Sequence, residues 1–129
     1  MNLVHAVPMK KMWDKFGIAL SGACLLHCIL IGLLPLLMPA VELFIHTPWI
    51  HRAFAFFILI TTPLAFIPGF RSHRSTLVLL AAALGLMAIM IGVFQDGLWE
   101  ENLVHAISIG GSLLLVWGHW QNLRLRRSC

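Results

Sequence analysis

The sequence predicts an all-α integral membrane protein, a bundle of four transmembrane helices in up-down order with both termini in the cytoplasm. Three observations predict it. Of the 129 residues, 60% are hydrophobic and 11% charged, and the mean hydropathy is +0.90. A soluble domain of this size has too little interior to hide that much apolar surface. Four runs without a charged residue, at 16–41, 53–70, 75–95 and 102–123, each approach the ~20 residues that cross a ~30 Å hydrocarbon core. The charges between the runs also alternate in sign from one connection to the next.

The first run follows Lys10, Lys11 and Lys15. No apolar stretch precedes it, so it reads as an uncleaved anchor rather than a signal peptide. The connection bounded by Pro39 and Pro48 reads as short and stiff. The second run is the shortest and holds Pro63 and Pro68, which makes its ends the hardest to place. Arg71 and Arg74 separate it from the third. A turn at Gln95-Asp96-Gly97 leads to the fourth, which Arg124, Arg126 and Arg127 close. The opposite connections carry Glu42, Asp96, Glu100 and Glu101, with Arg52 the only basic residue there. Basic flanks mark the cytoplasmic side, so the net charge of +4 is topogenic and nucleic-acid binding is excluded as a reading of it. Short connections force antiparallel neighbours and one domain over 1–129. Small residues at Gly17, Ser21, Gly32, Gly85, Ala88, Gly92, Gly110, Gly111 and Gly118 should let the backbones approach, and Trp49, Trp99, Trp117 and Trp120 fit an interfacial belt.

Inside the first run stand Cys24, His27 and Cys28. Residues three and four apart share one side of a helix. Polar groups at membrane depth mark function by default, and two sulfurs with an imidazole nitrogen select a thiophilic metal over magnesium or calcium. Helical Cβ atoms four residues apart lie about 5–6 Å from each other, whereas an unstrained disulfide needs about 3.5–4.5 Å. An ion held between the sulfurs fits that spacing better than a redox switch. The competing reading makes the cysteines small packing residues and His27 an interhelical hydrogen bonder.

The other histidines fall into layers. Glu42, His46, His51, Glu101 and His105 are expected to form a shallow cation-collecting layer on the outer side. His73, His119 and Cys129 are expected near the cytoplasmic side, where they can receive or release an ion. Taken singly, each reads more simply as an interfacial residue.

The motif Gly17-x-x-x-Ser21-x-x-Cys24-x-x-His27-Cys28, followed by Pro35 and Pro39, resembles the opening helix of MerC-domain proteins. The segment 69–74 resembles that family's middle cytoplasmic loop. Glu101-x-x-x-His105 and Gly111-Ser112-x-Leu114-Leu115-x-x-x-His119-x-x-Asn122-x-Arg124 resemble its last helix. The resemblance implies a small bacterial inner-membrane protein associated with mercuric-ion uptake. Members encoded with mercury resistance typically carry a Cys-x-x-Cys pair in the first helix and another pair near the C terminus. This chain has Cys24-x-x-x-Cys28 and a single terminal Cys129, which brings zinc in beside mercury as the cargo.

The expected function is therefore membrane transport of a thiophilic cation by ligand exchange at Cys24, His27 and Cys28. No cofactor is expected to be resident; the metal is cargo. The expected partners are the metal, the lipid bilayer and a cytoplasmic thiol acceptor, with a homo-oligomer left open. Two alternatives stand beside it: a haem-binding cytochrome using His51 and His105, and a non-transporting metal sensor or accessory subunit. No nucleophile, base and orienting group occur in an enzyme-like set, so an enzyme is not expected.

Overall fold

The computed structural model describes residues 3–38, 48–95 and 97–128. It contains helices α1 (Leu3–Leu37), α2 (Pro48–His73), α3 (Thr76–Phe94) and α4 (Glu101–Ser128), with no strand among the described residues. Each helix contains a segment long and apolar enough to cross a membrane, at Met12–Leu30, Trp49–His73, Thr76–Phe94 and Glu101–Arg127. The expected fold class is borne out, with helices that outrun the uncharged runs. Charge marks where a helix leaves hydrocarbon, not where it ends.

The prolines of α2 do not break it. Membrane helices tolerate proline because the few freed carbonyls, here those of Leu59 and Leu64 four residues before Pro63 and Pro68, are offset by packing against neighbouring helices. Pro48 opens the same helix, where its missing N–H costs nothing. The α2–α3 connection turns on Arg74, whose φ of 56° is left-handed, with its N–H on the Phe70 carbonyl at 2.9 Å.

Neighbours in the chain run antiparallel. The start of α1 meets the ends of α2 and α4, because Asp14 and Asn122 bond each other and Asn122 bonds Ala65. α4 packs along α1 and α3 and also reaches α2, whereas α1 and α3 do not meet among the described residues. The α3–α4 crossing is a close approach between Gly85 and Gly111. A Cβ on either would lie 2.8 Å from the other's carbonyl oxygen, so small residues set that distance. Gly118 meets Phe66, while Gly110, expected at an interface, faces open space.

Cys24, Cys28, Ile58, Phe66, Ala82, Ile89 and Leu115 make up much of the core. Leu26, Leu33, Phe56, Ile67, Leu80 and Leu84 point outward and exposed. Apolar groups outside and polar groups within is the arrangement lipid demands. On α1 the buried positions Asp14, Gly17, Ser21, Cys24 and Cys28 recur at intervals of three and four, one continuous stripe.

Candidate metal site and a buried polar network

The thiols sit in the upper part of that stripe. Cys24 is 3% exposed and Cys28 1%, both are free, and they adjoin each other. The Ser112 hydroxyl of α4 lies beside Cys24, too loosely placed for a hydrogen bond. From α2, His51 brings Nε2 to 4.0 Å from the Cys28 sulfur. Its ring meets that of His27 edge-on, with centroids 4.9 Å apart, and Phe54 flanks His27 at 5.9 Å. His27 Nε2 is buried and has no hydrogen-bond partner among the described residues.

His51 was expected in a separate outer layer. The structure instead places it against Cys28 and His27. α1 continues as a helix to Leu37, nine residues past Cys28, while α2 begins only three residues before His51. Antiparallel packing therefore sets the first turn of α2 against the middle of α1. Glu42, His46 and Cys129, also expected to contribute, lie outside the described residues. Glu101 and the half-buried His105 sit one turn apart at the start of α4. Among the described residues no three His, Cys, Asp or Glu side chains gather closely enough to enclose a metal ion.

A second polar assembly occupies the other end of the same stripe, and sequence reasoning missed its centre. Asp14, His119 and Asn122 are each 0% exposed. Arg126 donates from Nη1 to Asp14 Oδ2 at 2.8 Å. Asn122 donates from Nδ2 to Asp14 Oδ1 at 2.6 Å and to the Ala65 carbonyl at 3.2 Å. His119 Nδ1 lies 3.4 Å from Asp14 Oδ1. The Ser75 N–H donates to His73 Nδ1 at 3.0 Å, so His73 carries its proton on Nε2 and donates it to Asn122 Oδ1 at 2.8 Å. Both ring nitrogens of His73 are thus engaged.

Two glycines make room for this assembly. A Cβ on Gly17 would collide with the His119 ring, and one on Gly69 with the Asn122 amide. Phe66 covers His119 from α2, with ring centroids 4.6 Å apart. The α1 carboxylate is thus bound by three side chains of α4, and α2 joins the assembly through Asn122. Asp14 was legible as a fifth member of the stripe that contains the cysteines, but its lysine-rich surroundings disguised it as part of a solvated flank.

Between the two assemblies, Ser21 and Ser112 are buried at 1% and 0%. Among the described residues neither hydroxyl has a hydrogen-bond partner, nor has the Thr62 hydroxyl or His119 Nε2.

Compared with known proteins, residues 14–124 match the family model described as MerC mercury resistance protein. No curated protein and no solved structure matches the chain.

Proposed function

The chain belongs to the MerC mercury resistance protein family, and from that premise we propose that it carries a thiophilic metal cation across the bacterial inner membrane by ligand exchange at Cys24 and Cys28. Family and helices together make it a multi-pass membrane protein of a mercury resistance or transport-related kind. The observation that supports the finer reading is the pair of free, adjoining, buried thiols on α1. Two sulfurs are enough for a soft ion that prefers two ligands, and sulfur donors select such ions. His27 and His51 flank the pair and supply nitrogen ligands when the cargo is a borderline ion such as zinc. The mercuric ion is the first candidate by family, and a cytoplasmic thiol would take it from Cys28 and Cys24. The basic residues at the end of the bundle near Asp14 support an orientation with both termini in the cytoplasm, and an alkaline-phosphatase fusion after Arg127 should accordingly be inactive.

The test is mercuric and zinc accumulation by cells expressing the parent, Cys24→Ser, Cys28→Ser and the double variant at matched levels. Each single change should remove most of the flux, and the double variant should be scarcely worse, because groups that act as a unit are not additive. Normal accumulation by the well-expressed double variant would leave the cysteines as packing residues.

A further inference from the structure

We propose that Ser112 of α4 is a positioning residue of the metal site, donating its hydroxyl hydrogen to the Cys24 sulfur when that sulfur holds the cargo ion. The proposal rests on the thiols being the metal site, as argued above. It deepens that reading by adding a group from a third helix, one that distinguishes the loaded site from the empty one.

Helix register brings the two side chains together. On α4 the buried positions Ser112, Leu115, His119 and Asn122 recur at intervals of three and four, so they form one face. Its lower half is fixed on α1, where Asn122 bonds Asp14 and a Cβ on Gly17 would strike the His119 ring. The two helices run antiparallel, Ser112 precedes His119 by seven residues, and Cys24 follows Gly17 by seven. Each interval rises about 10 Å, which sets Ser112 level with Cys24. The two side chains are indeed neighbours. Gly111 meanwhile turns to α3, against the Gly85 carbonyl, so consecutive residues of α4 serve different helices.

The Ser112 side chain is 0% exposed, and its hydroxyl has no hydrogen-bond partner among the described residues. A hydroxyl inside a helix ordinarily bonds the carbonyl one turn back, as that of Thr61 does to Phe57. Ser112 leaves that bond unmade, and a buried polar group without a partner calls for a reason. Cys24 supplies one. A thiol is a weak acceptor. A sulfur that holds a metal is a thiolate, and hydrogen bonds to an ionised acceptor are shorter and about twice as strong. The hydroxyl is therefore unpaired beside the empty site and paired beside the loaded one.

That bond holds Cys24 in one orientation and draws charge from its sulfur, which makes the two sulfurs unequal. Cys28 faces the His51 ring of α2 at 4.0 Å, whereas Cys24 faces a hydroxyl of α4. A loaded pair thus ties both neighbouring helices to α1.

Ser112→Ala tests this, with Hg2+ and Cd2+ as probes and the full-length chain purified in detergent. Each ion is titrated in competition with a soluble dithiol, and the sulfur-to-mercury absorbance is recorded at saturation. Groups that hydrogen-bond a metal ligand typically contribute about 10–100-fold to affinity, so the variant should bind both ions at least about tenfold more weakly. Its sulfur-to-mercury band should move to longer wavelength, because a thiolate without the hydrogen bond gives up charge more easily. Without metal it should unfold at the parental temperature or above, having lost only an unpaired hydroxyl. Thr62→Val is the control. It removes another buried hydroxyl without a partner among the described residues, three residues from Ala65 and eleven from His51, and should bind as the parent does. Parental affinity and absorbance in Ser112→Ala overturn the proposal. So does a Ser112→Ala chain that is less stable than the parent without metal, or an equal loss of affinity in Thr62→Val, because either makes the hydroxyl a packing group. A parent with no sulfur-to-mercury band defeats the thiol site itself and this bond with it.

Discussion

The two polar assemblies on the α1 stripe differ in how far their hydrogen bonds are satisfied. Around Asp14, both carboxylate oxygens, the Asn122 amide and both nitrogens of His73 have partners. Around Cys24 and Cys28, by contrast, His27 Nε2 and the Ser112 hydroxyl are buried with none among the described residues, and His51 Nε2 stands 4.0 Å from the Cys28 sulfur. Buried polar groups are costly unless paired, so a saturated cluster holds helices together and an unsaturated one awaits something. His119 belongs to both kinds, with one nitrogen bonded to the lower assembly and the other open. One helix face carries a saturated polar cluster and, under the function proposed above, a ligand site about three turns apart.

If the lower assembly is a clamp, breaking it should be the most damaging change in the molecule. Asp14→Ala leaves Arg126 and His119 facing a hole and strips Asn122 of its shortest bond. Removing one partner of a buried ion pair costs about 3–5 kcal/mol, and unfolding in mixed detergent micelles should show a loss of that size. A loss below about 1 kcal/mol, the value of an exposed pair, would mean that the assembly does not hold the bundle. A milder break comes from crowding. Gly69→Ala and Gly17→Ala push on Asn122 and His119 and should each cost about 1–3 kcal/mol. Gly110→Ala meets nothing within 4 Å and should gain up to about 1 kcal/mol from helix propensity. Equal effects at the three glycines would remove the distinction between clamp and surface.

Most of the fold was legible because lipid imposes a simple rule. Long uncharged runs had to be helices, short connections made neighbours antiparallel, and Gly85 and Gly111 marked where α3 and α4 cross. The cysteine pair and its shared face were legible from spacing alone. What could not be read was rotation and axial offset between helices. These depend on pairwise packing, so His51 was assigned to its own layer when α1 in fact overruns the start of α2. Gly110 was misjudged for the same reason, since Gly111 beside it faces the partner and only one of two neighbours can. Asp14 failed differently. Charge was read as a flank signal for the membrane edge, and its three-and-four spacing to Gly17, Ser21, Cys24 and Cys28 passed unused.

The smallest expected effect concerns His51, the residue whose position the sequence misplaced. Its Nε2 lies at 4.0 Å from Cys28 and its ring against His27, so it can complete a nitrogen-containing ligand set but is not needed for a pair of sulfurs. His51→Ala should therefore separate the two cargoes. Zinc satisfies its preference for four ligands with histidines as readily as with thiolates. Losing one should weaken zinc binding by about tenfold, equivalent to 1.4 kcal/mol. Mercuric binding, carried by the thiols, should change far less. Equilibrium titrations of the purified protein with both ions in the same detergent measure the ratio directly. Unchanged affinity for both ions would return His51 to the interfacial layer where the sequence had placed it. An equal loss for both ions would instead make it a packing residue whose removal loosens α2 from the cysteine face.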